Sequence, residues 1–159
     1  MSVLVKTTTG GSSEAPREYV SMTVAGQLFG IPVLTVQDVL GEQRITCVPL
    51  ALPEVAGTLN LRGRIVTAID MRRRLRLPPR DKGAAAMNVV VERAGELYSL
   101  IVDSVGEVLS LPAEQFERNP STLEPAWREV SFGVYRLENG LMVVLDVQRL
   151  LDIKRAEAA

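Results

Sequence analysis

Two stretches of this chain recur in the same order, and that duplication constrains its fold more than any single motif. Gly26-Gln27-Leu28-Phe29 matches Gly95-Glu96-Leu97-Tyr98 at an offset of 69, which also pairs Val33 with Val102, Val36 with Val105, Val39 with Val108 and Leu40 with Leu109. Further on, Ile69-Asp70-Met71-Arg72-Arg73 matches Leu145-Asp146-Val147-Gln148-Arg149 at an offset of 76, so the second copy carries seven extra residues between the segments. A unit of about seventy residues buries too little surface to be secure alone. Two of them gain stability by packing their apolar faces together, and the joint creates a groove of the kind that binds partners.

Local patterning makes each unit a set of strands closed by a short helix. Tyr19 to Val24 alternates at period two, turns at Ala25-Gly26 and returns as Gln27 to Ile31, ending where Pro32 removes a ladder donor. Thr58 to Leu61 and Arg64 to Ile69 form a second hairpin around Arg62-Gly63; Met87 to Glu92 and Leu97 to Val102 form a third. Asn139-Gly140, which suits the positive dihedrals of a tight turn, joins Val134–Leu137 to Leu141–Leu145. Asp70 and Asp146 sit at the same place in each copy, where a carboxylate accepts the free amides of a helix over Met71–Leu75 and Val147–Leu151. Leu77 to Gly83 breaks the pattern, placing the junction of the halves near 77–86. Residues 1–16 read as a flexible arm, with too little apolar surface to offset their ordering, and 155–159 as a tail.

The composition removes most chemistry. The 159 residues include no histidine, which excludes His-ligated metals, Ser-His and Cys-His nucleophile pairs and phosphohistidine on this chain. Cys47 is the single cysteine, in the apolar segment Ile45-Thr46-Cys47-Val48-Pro49, and reads as a buried structural thiol of a reducing compartment. No phosphate-cradling glycine loop is present, and Asp70 and Asp146 are helix caps rather than a catalytic pair. No apolar run approaches the ~20 residues that span a bilayer, and the start of the chain lacks the apolar stretch of a secretory signal. The expectation is a cytoplasmic protein that is not an enzyme.

Charge is unevenly distributed. Residues 1–80 carry ten basic and six acidic side chains, residues 81–159 eight and thirteen. Seven arginines fall between Arg62 and Arg80, opposed only by Asp70. They suit a solvated face or an acidic protein partner; the alternative is a small β-barrel that binds RNA through this cluster. Few aromatics accompany them: Tyr19 and Phe29 are the only ones in that half.

The segment Thr58-Leu59-Asn60-Leu61-Arg62-Gly63-Arg64-Ile65-Val66, running into Ile69-Asp70-Met71-Arg72, resembles the signature of the CheW family, the adaptor proteins of bacterial chemotaxis. Gly30-Ile31 with Val36-Gln37-Asp38-Val39, Val102 to Leu109, and Leu145-Asp146 add to the likeness, which covers about Glu18 to Ile153. Asp38 stands where glutamate is usual, and Thr67 where proline is usual. The resemblance implies an all-β fold with a few short helices: two similar SH3-like, five-stranded β-barrel subdomains packed around a shared hydrophobic core. It implies a non-enzymatic scaffold without cofactor or metal, coupling the cytoplasmic tips of chemoreceptors to the regulatory domain of the histidine kinase CheA. The adaptor so implied inserts in no membrane, binds no nucleic acid, and is a monomer in isolation but part of a larger array. The family's receptor-facing groove falls on Val36, Asp38, Gly57, Arg62 and Val108. Val36 and Val108 would supply apolar contact, Asp38 and Arg62 polar register, and Gly57 a close backbone approach.

Deleting residues 1–16 is expected to leave the thermal midpoint unchanged; a fall of several degrees would make the arm part of the folded unit.

Overall fold

A computed structural model describes residues 16–81, 83–138 and 140–152. The expected tail, all of the expected arm except Pro16, and Asn139 of the Asn-Gly turn lie outside the described residues. The strands are β1 (Arg17–Val24), β2 (Gln27–Pro32), β3 (Val36–Leu40), β4 (Val55–Leu61), β5 (Arg64–Asp70), β6 (Met87–Arg93), β7 (Glu96–Val102), β8 (Ser104–Leu111), β9 (Ser131–Leu137) and β10 (Gly140–Leu145). Short helices follow β5 (α1, Met71–Arg74), precede β9 (α2, Pro125–Arg128) and follow β10 (α3, Val147–Leu150). The expected hairpins form, and both expected caps are made. The Asp70 carboxylate accepts from the Arg72 and Arg73 amides, and that of Asp146 from the Arg149 amide. β3 and β8 carry no clean alternation in sequence because each is bulged: Val36 faces Val91 while Asp38 faces Val90, and Val108 faces Val20 while Val105 faces Met22.

The strands form two five-stranded sheets of identical plan, β8-β1-β2-β10-β9 (sheet one) and β3-β6-β7-β5-β4 (sheet two). In each, the one parallel pair joins two hairpins: β2 with β10, and β7 with β5. Neither sheet is made by one half of the sequence. The first half gives β1 and β2 to sheet one and β3 to β5 to sheet two; the second half completes both. The chain crosses between sheets at Val33–Thr35 and at Asp103, while 77–86 links α1 to β6 inside sheet two. The duplication is thus of strand order, with the two copies interlocked.

Interlocking explains why several strands read as nearly continuous apolar runs. On sheet one, Val20, Met22, Val24, Phe29, Ile31, Val143 and Leu145 face a core shared with Ile69, Val89, Val91, Leu100 and Val102 of sheet two. The alternate residues Tyr19, Met142 and Val144 face a private core with Leu111 and Tyr135, and Leu59, Val66, Ala68, Ala86 and Ile101 form the private core of sheet two. Central strands buried on both faces need apolar side chains at successive positions.

Asp103, the single residue between β7 and β8, fixes one crossing. Its amide donates to the Thr23 carbonyl (3.0 Å), and its carboxylate accepts from the Ala25 amide (2.8 Å) and from Arg72 on α1 (Nη2, 2.6 Å; Nε, 3.2 Å). Arg72 also donates to the Pro78 carbonyl (2.8 Å). Burial alone would raise the Asp103 pKa, but the Arg72 guanidinium and the Ala25 amide outweigh it and hold the carboxyl below its usual range.

Because its native pKa is depressed, Asp103 contributes stability above the ordinary carboxylate value, about pH 4, and that contribution fades as pH falls through the native value. Asp103→Asn is expected to cost about 1–3 kcal/mol at pH 7. In denaturant titrations the gap from the parent protein should narrow below about pH 4.

Candidate functional site

Sheet two presents the polar site. The β4–β5 hairpin turns through Arg62 (φ 51°) and Gly63 (φ 85°), the same pair of left-handed conformations as Ala25-Gly26 and Ala94-Gly95 in the other hairpins. The Asn60 side-chain oxygen accepts from the Gly63 amide at 3.0 Å and locks the turn. Arginine has no short polar side chain to favour a left-handed backbone, so turn chemistry accounts for Asn60 and Gly63 but not for Arg62.

The Arg62 guanidinium reaches across to β3, its Nη2 donating to Asp38 Oδ2 at 3.0 Å, while Asp38 Oδ1 accepts from the Val39 amide at 2.9 Å. β3 and β4 are opposite edges of sheet two, so the pair ties those edges together. The Arg62 side chain is 74% exposed and that of Asp38 29%. A pair this open to water contributes at most about 1 kcal/mol. Stability is therefore not a sufficient reason for it. Ile65 (67% exposed) on the same hairpin and Val39 (38%) beside Asp38 add apolar surface. Sequence reading missed both, although period two in β5 sets Ile65 opposite in phase to the buried Val66 and Ala68.

The other expected site residues fall differently. Val36 is half-buried on β3 and Val108 half-buried on β8, each packed onto the shared core from the edge strand of a different sheet. Gly57 is buried on β4 at φ 151°. Its α-carbon lies under the chain leaving β3, where Thr46 and Thr58 exchange two backbone hydrogen bonds of 2.8 Å. A Cβ at Gly57 would run into the Thr46 carbonyl and lie 2.8 Å from Ile45 Cγ2. Gly133 occupies the equivalent place in sheet one, where Glu117 pairs with Val134, and its Cβ would strike the Glu117 carbonyl and the Phe116 ring. The backbone that closes on Gly57 is this chain's own.

Two expectations change. Cys47 is exposed, not buried. Ile45 packs on the private core and Thr46 pairs with Thr58, but beyond that pairing the chain leaves the sheet. Nor are the arginines between Arg62 and Arg80 one solvated face. Arg72 is held by Asp103, and Arg74 donates to the Leu150 (2.7 Å) and Arg149 (3.0 Å) carbonyls at the end of α3. Burial of Arg74 lowers its pKa, as expected of a guanidinium withdrawn from water. Two of the seven cations are thus committed to internal carbonyls and a carboxylate rather than offered to phosphates, and no observation supports the RNA-binding alternative.

Two interlocked five-stranded sheets carrying an exposed ion pair and apolar edges have the make-up of a scaffold, a class that works through surfaces. Comparison with known proteins gives the family. Residues 18–155 match the CheW-like domain, and the chain belongs to that family. It is 27% identical over 135 residues to the chemotaxis protein CheW of Klebsiella aerogenes, covering 85% of this chain and 81% of that protein. It is 30% identical over 126 residues to protein PilI of Pseudomonas aeruginosa, covering 78% and 70%. The crystal structure of the scaffolding protein TtCheW from Thermoanaerobacter tengcongensis superposes with a TM-score of 0.78 at 26% identity, covering 87% of this chain and 94% of that one.

Gly57→Ala is expected to destabilise the fold by about 1–3 kcal/mol in urea unfolding, because the new Cβ displaces the Thr46 backbone. Unchanged stability would mean that the loop is not held over Gly57.

Proposed function

We propose that this protein is a cytoplasmic chemotaxis adaptor that couples the cytoplasmic tips of chemoreceptors to the regulatory domain of the histidine kinase CheA. It works by affinity and geometry, and places receptor and kinase in one array. Membership of the CheW-like family supports the adaptor role, as do relatives named chemotaxis protein CheW. Among the described residues no helix is long and apolar enough to cross a membrane, consistent with a partner that reaches receptors from the cytoplasmic side.

The receptor-facing site in this reading comprises Val36, Asp38, Gly57, Arg62 and Val108. The observation that carries it is the Arg62–Asp38 pair, held at 3.0 Å on an exposed hairpin where it adds little stability. Arg62 and Asp38 set polar register against a receptor helix hairpin, and Val36 and Val108 supply apolar contact at its flanks. Gly57 acts at one remove, by letting Thr46 close over β4 and hold the Arg62 hairpin against the loop that precedes it.

Arg62→Glu sets two carboxylates side by side at the turn without disturbing the core. Titration against a receptor cytoplasmic-tip fragment should show affinity weakened by about tenfold or more, with an unchanged thermal midpoint and unchanged binding to the CheA regulatory domain. Parent-like receptor affinity in the variant would remove Arg62 from the site. Absence of saturable binding of the parent protein to either partner would remove the adaptor reading itself.

A further inference from the structure

The duplication supplies an internal comparison, since positions of one sheet have counterparts in the other. At the repeat offsets, Arg17, Pro32, Phe132 and Val144 of sheet one correspond to Ala86, Ile101, Ala56 and Ala68 of sheet two. The sheet-two residues close on one another in its private core. Their sheet-one counterparts, with Leu34 and Phe116, line an open groove of about 550 Å³. Phe132 is the extra residue of the bulge where β10 pairs with β9, and it is half exposed. Leu34 at the groove's mouth is 92% exposed. Sheet one thus keeps an apolar hollow at a place that sheet two fills.

The chain itself leads to this hollow. Pro16, where the described residues begin, lines it beside Arg17. Residues 1–15 precede it in sequence and hold one apolar triplet, Val3-Leu4-Val5. Ten residues separate Val5 from Pro16, and they include Gly10-Gly11, a pair that lets a chain reverse. A tether of that length has a root-mean-square span of about 18 Å, which keeps the triplet within reach of the groove. Charge agrees. Lys6 follows the triplet, while residues 17–35 with 103–152, which supply sheet one and its connections, carry ten acidic side chains against five basic.

We infer that Val3-Leu4-Val5 folds back and seats in the Leu34–Phe132 groove of its own chain, making the arm a tethered occupant of that face. A hollow of this volume holds a few apolar side chains. The tether gives an effective concentration in the millimolar range, enough to seat a contact of three side chains about half the time. At half occupancy the arm adds RT ln 2, about 0.4 kcal/mol, and moves the thermal midpoint by only about 1 °C. Removing it therefore leaves the fold essentially as stable as before. Its effect falls on access instead: a ligand of the groove must displace the triplet, and binds about twofold more weakly than it does to a chain without the arm. The inference rests on neither the receptor-facing site nor the kinase.

Paramagnetic broadening in the full chain tests this. Cys47 is exposed and would take a label, so the nitroxide is placed by Ser2→Cys in a Cys47→Ser background. Expected is amide broadening concentrated at Val33, Leu34, Phe132 and Gly133, with Ile65 on sheet two spared. Leu4→Asp should lower the docking constant at least about tenfold, taking the seated fraction from about a half to about a tenth, and the broadening should fall accordingly. Leu34→Asp alters an exposed groove residue and should have the same effect, with circular dichroism and the thermal midpoint unchanged. Isotope-labelled chains without nitroxide, mixed with nitroxide-bearing chains, should show no broadening at the groove. Broadening spread evenly over the surface, broadening indifferent to both variants, or broadening that passes between chains in the mixture would each overturn the inference, the last by giving the groove to the arm of a second copy.

Discussion

The central strands of this protein are buried on both faces, and the rest of the architecture follows from that requirement. One face of each sheet turns to the shared core and the other to a private one. A half-chain of about seventy residues could not enclose two such layers by itself. Exchanging strands solves the problem: β1 and β2 are completed by β8 to β10, and β6 and β7 by β3 to β5. Removing either half would uncover apolar surface on both sheets, so the two halves fold as one cooperative unit.

Strand exchange makes the crossings critical, and their chemistry shows it. At Asp103 one carboxylate meets the β1–β2 turn through Ala25 and the helix after β5 through Arg72, binding both sheets at a single residue. On the same helix Arg74 performs a related task, satisfying carbonyls at the end of α3. Arginine suits both places because its planar fork reaches two acceptors at once. A cluster that looks in sequence like a basic surface is therefore partly internal wiring. The sheet edges are tied similarly, with Thr46 over β4 and Glu117 over β9, each above a glycine.

Against that rigid frame the candidate site uses only weak interactions. The Arg62–Asp38 pair is too exposed to hold the fold, and Ile65, Val39 and Leu50 leave apolar area in water that folding does not bury. A scaffold protein has need of such surface, since its work is done by contacts with other chains.

Much of this was legible in the amino-acid order. Ala25-Gly26, Arg62-Gly63 and Ala94-Gly95 specify tight turns, and Asp70 and Asp146 specify caps, because those features depend on a few neighbouring residues. The resemblance of Asn60-Leu61-Arg62-Gly63 and its surroundings to one family was also present in sequence, as was the exposed position of Arg62. β3 and β8 were harder to see because bulges interrupt their alternation. Which strands share a sheet, the exposure of Cys47, the burial of Arg72 and Arg74, and the closure of Thr46 over Gly57 were decided by tertiary structure alone. Each depends on residues far apart in the chain, and a local pattern of side chains carries no information about which distant strand will lie beside it.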